Sequence, residues 1–201
     1  MKKLLISGIF VVAVAGLSVV RADIIPTFVG TSTLDQQNTI WSYTVNITAE
    51  QSANPGDFFT IYDFGNFIPG SNSQPAGWTF SSSLLGTTPS QTNPVDNPSL
   101  LNLTWTYNGP TILGSTSSGQ NIGPFQVSIA GFLPERLPPT GNGYFAAQGT
   151  LVTGPNAGSK VDNVGRIPVP IAIPEPSTFA LIVGAGGLGL IGRALARRRR
   201  L

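Results

Sequence analysis

The chain has 201 residues, enough for one large domain or two small ones, and only about a tenth of them are charged. It has no His and no Cys, which excludes metal sites built on imidazole or thiolate, Ser-His-Asp and Cys-His catalysis, and disulfide bonds. Residues 23–178 hold three basic residues against all nine acids, a net charge of −6, so nucleic acid is not an expected partner.

The first residues have the pattern of an export signal. Lys2 and Lys3 precede an uncharged, mostly apolar stretch at 4–20, and Ala22 is a small residue suited to a cleavage site. We therefore predict a signal peptide at 1–22, cleaved after Ala22. A retained membrane anchor is the alternative, because a 17-residue apolar stretch approaches the lower limit of a membrane span.

The middle of the chain has the alternation of an all-β domain. Polar and apolar residues alternate with a period of two in 39–49, 101–108 and 125–130, and turn-forming residues separate these segments. Weaker candidate strands lie at 24–33, 57–64, 77–85, 143–153 and 160–168. About eight strands without a helical period predict a single β-sandwich, of jelly-roll or immunoglobulin-like type.

Between the signal peptide and the tail, the sequence predicts two parts. The β-sandwich occupies 23–153, and a last strand followed by a Pro-rich stalk occupies 154–172. Within the sandwich, residues 86–98 are rich in Pro, Thr and Asn, which predicts a long mobile loop.

Three tryptophans bear on whether this domain binds sugars. Trp41 and Trp105 lie on the apolar faces of strong strands, so we predict that both belong to the core. Trp78 follows a glycine near a turn, which predicts an exposed ring. Because β-sandwiches often present flat aromatic rings to sugars, Trp78 is the candidate sugar platform.

The acidic residues are weaker candidates for chemistry. Asp57 and Asp63 are predicted to flank a buried aromatic strand, with Ca²⁺ binding by the two carboxylates and neighbouring carbonyls as the alternative. A hydrolase with paired carboxylates would draw on seven acids, none of which a local motif singles out: Asp35, Glu50, Asp57, Asp63, Asp96, Glu135 and Asp162. We predict no catalytic residue, no metal site and no cofactor.

The C-terminal residues 173–201 form a three-part pattern. An apolar run at 179–192 lies between a proline motif and a basic end, and as a helix extended over 179–196 it rises about 27 Å, close to a bilayer core of roughly 30 Å. The proline motif is Pro174, Glu175 and Pro176. The basic end, which would remain cytoplasmic and stop transfer, is Arg193, Arg197, Arg198, Arg199 and Arg200.

This three-part tail resembles the PEP-CTERM sorting signal of Gram-negative bacteria. The resemblance implies processing by an exosortase, an integral-membrane enzyme similar to cysteine transpeptidases, and an association with exopolysaccharide and biofilm matrix. The aromatic segment at 55–78 also resembles a module of other PEP-CTERM proteins whose function is unassigned. A plain tail anchor would explain the helix and the arginines but not the Pro-Glu-Pro motif. A basic nucleic-acid arm would be drawn into a membrane by the apolar run.

The sequence therefore predicts an exported, non-enzymatic surface or matrix protein. It crosses the inner membrane, is anchored transiently by the tail helix, and ends at the cell surface or outside the cell. Its expected partners are an exosortase-type enzyme, the inner membrane and exopolysaccharide. The alternative is a carbohydrate-binding β-sandwich module that acts on exopolysaccharide, and a hydrolase of unknown class is the third hypothesis.

Overall fold

The computed structural model describes residues 24–35, 38–114, 119–130 and 140–171, and within these ranges it contains ten β-strands and no helix. No stretch of the described chain is a helix long and apolar enough to cross a membrane. The predicted signal peptide and the sorting tail at 173–201 lie outside the described residues. The all-β class is confirmed for the part of the chain that is described.

The smaller sheet has three antiparallel strands. They are β1 (Ile24–Thr33), β2 (Asn38–Ile47) and β8 (Gln120–Ala130), with β2 in the centre. The alternation of polar and apolar residues in the sequence of β2 matches the burial of its side chains, since every second side chain from Trp41 to Ile47 is fully buried. The smaller sheet therefore covers the core with one face and presents a polar face to solvent.

The larger sheet has seven strands and is curled. It contains β3 (Gln51–Ala53), β4 (Phe58–Phe64), β5 (Trp78–Ser83), β6 (Leu101–Tyr107), β7 (Ile112–Leu113), β9 (Thr140–Leu151) and β10 (Lys160–Pro170). The hydrogen-bonded order is β5-β6-β4-β9-β3-β7, and β10 pairs with β9 along its whole length. The Tyr43 hydroxyl of the smaller sheet donates to the Pro168 carbonyl at 2.9 Å, which ties β10 to the opposite sheet.

Aromatic rings fill the space between the two sheets. Phe59 and Trp105 stack with their ring centroids 5.0 Å apart and their planes 14° apart. Phe125 of the smaller sheet meets the Phe59 ring edge-on at 5.1 Å. Trp41 and Trp105 are fully buried, which confirms that both belong to the core.

The prediction that Trp78 is exposed is wrong. Its side chain is only 4% exposed, because it begins β5 opposite Tyr107 and points inward. Its ring contacts those of Phe59 and Phe125, at centroid distances of 5.7 and 5.1 Å. Since the ring faces are occupied by other aromatic rings, Trp78 offers no platform to a sugar.

All eight predicted strands are present. The two additional strands, β3 and β7, have only three and two residues, too few for an alternation to be visible in the sequence. The predicted last strand at 160–168 is β10, which extends two residues further, to Pro170, into the region predicted as a Pro-rich stalk. The prolines at 168 and 170 are tolerated because β10 is an edge strand.

Residues 86–98 form a loop without regular structure, and hydrogen bonds attach that loop to the sheet. It crosses the outer face of β4, where the Thr60 and Tyr62 hydroxyls donate to the Thr87 carbonyl at 2.8 and 2.9 Å. Further along, the Gln91 backbone N–H donates to Asp162 and the Asn97 N–H to Asp63. These bonds oppose the free movement that the composition of the loop predicts.

Candidate functional site

The outer face of the β9–β10 hairpin concentrates the positive charge of the described chain. Lys160 and Arg166 are the basic residues among the described positions, and both lie on β10 with Asp162 between them. Because side chains two residues apart point to the same side of a strand, all three share one face. Their partners in register on β9 are Thr150, Gln148 and Tyr144. We call these six residues the β9–β10 outer face.

A buried carboxylate anchors one end of this face. Asp57, in the turn before β4, is fully buried and accepts hydrogen bonds from the Asn54 backbone N–H and the Thr150 hydroxyl, both at 2.8 Å. Lys160 Nζ lies 2.5 Å from Asp57 Oδ1 and 2.9 Å from Thr150 Oγ1. The Lys160 side chain is 44% exposed, so the ammonium group retains part of its hydration. This arrangement locks the β3–β4 turn to the hairpin.

Asp162 occupies the middle of the face and holds the crossing loop. Its carboxylate accepts a hydrogen bond from Gln148 Nε2 at 2.9 Å and another from the Gln91 backbone N–H at 3.0 Å. Each carboxylate oxygen therefore has a partner, one on the sheet and one on the loop. The loop at 86–98 forms a wall along one side of the β9–β10 outer face.

At the other end of the face, the Arg166 guanidinium lies over the Tyr144 ring. The Arg166 guanidinium carbon lies 5.4 Å from the centroid of the Tyr144 ring, and Nη2 donates to the Tyr144 hydroxyl at 3.4 Å. Arg166 is exposed and Tyr144 is half-buried. The exposed guanidinium carries several N–H donors, which suit hydroxyl or carboxylate oxygens. Val164, partly exposed on the same strand, adds an apolar contact.

The hypothesis of a Ca²⁺ site shared by Asp57 and Asp63 is wrong. The two residues stand at opposite ends of β4, six residues apart, which is roughly 20 Å along a strand. Asp57 is occupied by Lys160 and Thr150, and Asp63 accepts from the Asn97 N–H at 2.7 Å. Among the described residues, no three acidic side chains are placed to share a metal ion.

The side-chain amide of Asn102 links two of the seven candidate acids, Asp63 and Asp96, by hydrogen bonds. Asn102 on β6 accepts a hydrogen bond from the Asp63 backbone N–H at 2.9 Å and donates to the Asp96 carboxylate at 3.0 Å. Asp63 has a positive φ of 59°, a conformation that Asp tolerates better than most residues. The bonds of both acids fix the C-terminal end of the crossing loop, so each has a structural role in this geometry.

Two buried tyrosines, Tyr43 in the smaller sheet and Tyr62 in the larger sheet, have raised pKa values. Burial raises the pKa of Tyr43 well above 10, since the phenolate would lose its hydration between the sheets. Burial also raises the pKa of Tyr62, with a smaller contribution from the negative charge of Asp96, whereas hydrogen bonds with Thr88 and Thr60 lower it. Both groups are therefore neutral hydrogen-bond donors at physiological pH.

The structure describes the three tryptophans and six of the seven candidate acids, whereas the seventh, Glu135, lies outside the described residues. The cleavage residue Ala22, the motif at 174–176 and the arginines at 193 and 197–200 lie outside the described residues, and their roles remain predictions. The Tyr144–Arg166 pair was missed in the sequence. The available signal was the even spacing of Lys160, Asp162 and Arg166 on one predicted strand of a region poor in basic residues.

Comparison with protein-family models, with curated proteins and with solved structures gave no match to this chain.

Proposed function

We propose that this protein is an exported, non-enzymatic surface or matrix component that is delivered by its C-terminal sorting tail. The observation that supports the proposal is the order of three features in the tail: the Pro-Glu-Pro motif at 174–176, the apolar run at 179–192 and the terminal arginines. In this proposal a signal peptide exports the chain, one transmembrane helix at 179–196 holds it, and an exosortase-type enzyme removes the helix. The exported domain is a β-sandwich of jelly-roll or immunoglobulin-like type.

The end of the described domain is compatible with release by cleavage at the motif. The last strand, β10, ends at Pro170, whose carbonyl accepts a hydrogen bond from the Gly65 N–H at 3.2 Å. A cut at 174–176 would therefore remove none of the ten strands. Because the contacts of the core and of the crossing loop would all be retained, the released domain is expected to stay folded.

The mass of the exported protein tests this proposal. Intact-mass measurement of protein recovered from producing cells and from matched cells without the exosortase should give two different values. In producing cells the chain should begin at Asp23 and end near Pro174 to Pro176, whereas without the enzyme the tail should remain. A tail that is intact in both strains, or removed in both, would contradict sorting by such an enzyme.

A carbohydrate-binding module is the second candidate function. The observation that favours it is the Arg166–Tyr144 cation–π pair, which places an exposed cation and the exposed Val164 on the same face of β10. This surface replaces Trp78 as the sugar platform of that hypothesis. A hydrolase of unknown class stays the third proposal and would draw on the two acids that share Asn102, Asp63 and Asp96.

Binding to a glycan array separates the second candidate from the first. If the β9–β10 outer face binds a glycan, Arg166→Ala should weaken binding at least tenfold, about 1.4 kcal/mol. The control variant is Ser81→Ala, which changes an exposed residue on the outer face of β5 in the same sheet. Equal binding by both variants, or no binding by the unmodified protein, would reject this surface as a glycan site.

A further inference from the structure

Exposed apolar side chains accumulate at one end of the domain. Nine large apolar residues of the described chain are exposed, and five of them lie at the end where β4, β5 and β10 finish: Leu34, Leu84, Leu85, Val95 and Ile171. We call these five residues the apolar pole. Contiguous exposed apolar surface on a soluble domain commonly marks a contact with a membrane or a partner.

The strand register places the residues of the larger sheet at this end. Phe64, the last residue of β4, pairs with Leu101, and Ser83, the last residue of β5, pairs with Asn102. Leu84 and Leu85 follow directly, and the Leu84 carbonyl accepts a hydrogen bond from Asn102 Nδ2. Val95 precedes Asp96, whose carboxylate accepts from the same amide.

The smaller sheet and the last strand end at the same pole. Leu34 follows β1 and donates its N–H to the Asn38 carbonyl, and Asn38 pairs with Ala130 at the end of β8. The Ala130 N–H in turn donates to the Asn66 carbonyl, two residues beyond β4. Ile171 follows Pro170, whose carbonyl is bonded to the Gly65 N–H. All five apolar side chains therefore surround the ends of the strands at one pole.

The chain leaves the domain towards the sorting tail at this same pole. Only eight residue steps separate Ile171 from Phe179, where the apolar run begins, so that even a fully extended chain spans at most about 28 Å. A tail embedded in a membrane would thus hold the apolar pole close to the lipid surface. Such a tether makes contact between the pole and the lipid an intramolecular event, which strengthens a contact that would be weak without it.

We propose that the apolar pole rests on the lipid surface of the membrane while the tail is still attached. This inference depends on the proposed function, because the tail supplies the tether. Leu85, the most exposed of the five at 82%, is the residue expected to enter the interface most deeply. The acids of the described chain near this pole, Asp35, Asp63 and Asp96, favour a zwitterionic over an anionic surface.

Site-specific labels in the exported chain with its tail retained, residues 23–201, test the proposal, since the protein has no cysteine of its own. Leu85→Cys carries a polarity-sensitive dye at the pole, and Leu113→Cys carries it at the opposite end, on the short strand β7, where the native residue is 58% exposed. After reconstitution into phosphatidylcholine vesicles, the dye at 85 should emit at shorter wavelength and be quenched by lipids with nitroxide headgroups. The dye at 113 should show neither effect.

The controls distinguish this inference from the proposed function. Flotation of the protein with the vesicles reports on the tail, and the dye reports on the pole. A protein that floats while its dye at 85 stays in water would overturn the inference and leave the tail anchor intact, whereas a protein that does not float would reject the anchor itself.

The dye measurement also distinguishes lipid from two other possible occupants of the apolar pole, a second copy of the protein and the tail of the same chain. Shielding at 85 that grows with the number of protein molecules per vesicle would assign the pole to a second copy, and would overturn contact with lipid. Shielding that persists in detergent-free buffer without lipid would assign it to the tail folded back on the domain, with the same consequence. Reduced shielding when half of the lipid is replaced by phosphatidylglycerol at low salt would support the predicted charge preference.

Discussion

The two sides of β4 are both buried, but by different means. On the inner side, Phe59 and Ile61 face the aromatic core between the sheets. On the outer side, Thr60 and Tyr62 are covered by the crossing loop at 86–98, and each hydroxyl has a hydrogen-bond partner there. The inner side is closed by a second sheet, whereas the outer side is closed by a loop with no regular structure.

The two sides of β4 are therefore stabilised by different kinds of contact. The inner side is stabilised by apolar area, and within the part of the chain that the structure describes, the indole N–H groups of Trp41, Trp78 and Trp105 have no hydrogen-bond partner. The outer side is stabilised by individual hydrogen bonds, each worth about 1 kcal/mol, and loss of one partner leaves a buried polar group. Substitutions on the two sides should therefore differ in how much they lower the free energy of unfolding and in how far their effects extend from the substituted residue.

Removing a large ring from the inner side should have the largest effect. Trp105→Ala deletes a fully buried side chain that stacks on Phe59, and we expect it to lower the free energy of unfolding by about 3–5 kcal/mol. Trp78→Ala should have an effect of similar size, since Trp78 is buried against Phe125 and Tyr107. Urea denaturation of the mature domain measures both.

The matched controls are a smaller ring and an exposed residue. Trp105→Phe keeps an aromatic contact and loses no hydrogen bond, so it should cost less than half as much as the alanine variant. Leu113→Ala changes an exposed side chain and should stay within about 0.5 kcal/mol of the unmodified protein. A Trp78→Ala domain as stable as the Leu113 variant would contradict the inward orientation of Trp78.

The inner side could be predicted from the sequence because alternation in a strand is a local signal. Alternation predicts that Trp41 and Trp105 belong to the core, and it predicts three of the eight longer strands; the other five are weaker candidates between turn-forming residues. Trp78 was misplaced because a preceding glycine marks a turn but does not say which face the next residue joins. Its orientation is set by its pairing with Tyr107, a contact across 29 residues.

The outer side could not be predicted, since its burial comes from contacts that are distant in sequence. Tyr62 meets Thr88, and Asp162 meets Gln91 across 71 residues, through a loop whose composition indicates only exposure. The same holds for the β9–β10 outer face, where Asp57 lies 103 residues from Lys160. Side-chain pairs of this kind follow from the topology, which the strand pattern alone leaves open.

The carboxylate beneath the β9–β10 outer face should give the next largest effect. Asp57→Ala removes the acceptor of the Asn54 N–H and the Thr150 hydroxyl, and we expect a loss of about 1–3 kcal/mol. Lys160→Met removes a partner that is 44% exposed, and should cost about 0–1 kcal/mol. If chemical denaturation gave the reverse order, the ion pair rather than the two neutral donors would be the main stabilising contact.

Alkaline pH should weaken the inner side through Tyr43. Above pH 10 the unfolded chain loses its tyrosine protons, while folded Tyr43 keeps its proton because burial raises its pKa. The folded state then binds more protons, so the free energy of unfolding falls as pH rises, by at most about 1.4 kcal/mol per pH unit for this residue. This contribution to stability is fully present below pH 10.

The variant Tyr43→Phe isolates that contribution. It removes the titrating group and the hydrogen bond to the Pro168 carbonyl, so it should be slightly less stable at neutral pH and lose less stability between pH 9 and 11. Denaturation curves across that range compare the two slopes. Parallel curves for the variant and the unmodified protein would mean that Tyr43 titrates as it does in the unfolded chain.

The smallest effect on stability, and the most local one, is expected on the outer side of β4. Tyr62→Phe removes the O–H group that donates to the Thr87 carbonyl and bonds the Thr88 hydroxyl. The Thr87 carbonyl keeps the Thr60 hydroxyl as a donor at 2.8 Å, so the cost should be only about 0.5–1 kcal/mol. The consequence should instead appear in the crossing loop, as faster amide hydrogen exchange at Gln91 and Asn97.

Exchange rates in the Tyr43→Phe variant provide the matched control. That variant also loses one tyrosine hydroxyl, but on the inner side, and its loop amides should exchange as in the unmodified protein once global stability is taken into account. If Tyr62→Phe left the rates at Gln91 and Asn97 unchanged, the carboxylates of Asp162 and Asp63 would suffice to hold the loop. The crossing loop would then be held near its middle by Asp162 and at its C-terminal end by Asp63, rather than by the hydroxyls beneath its first residues.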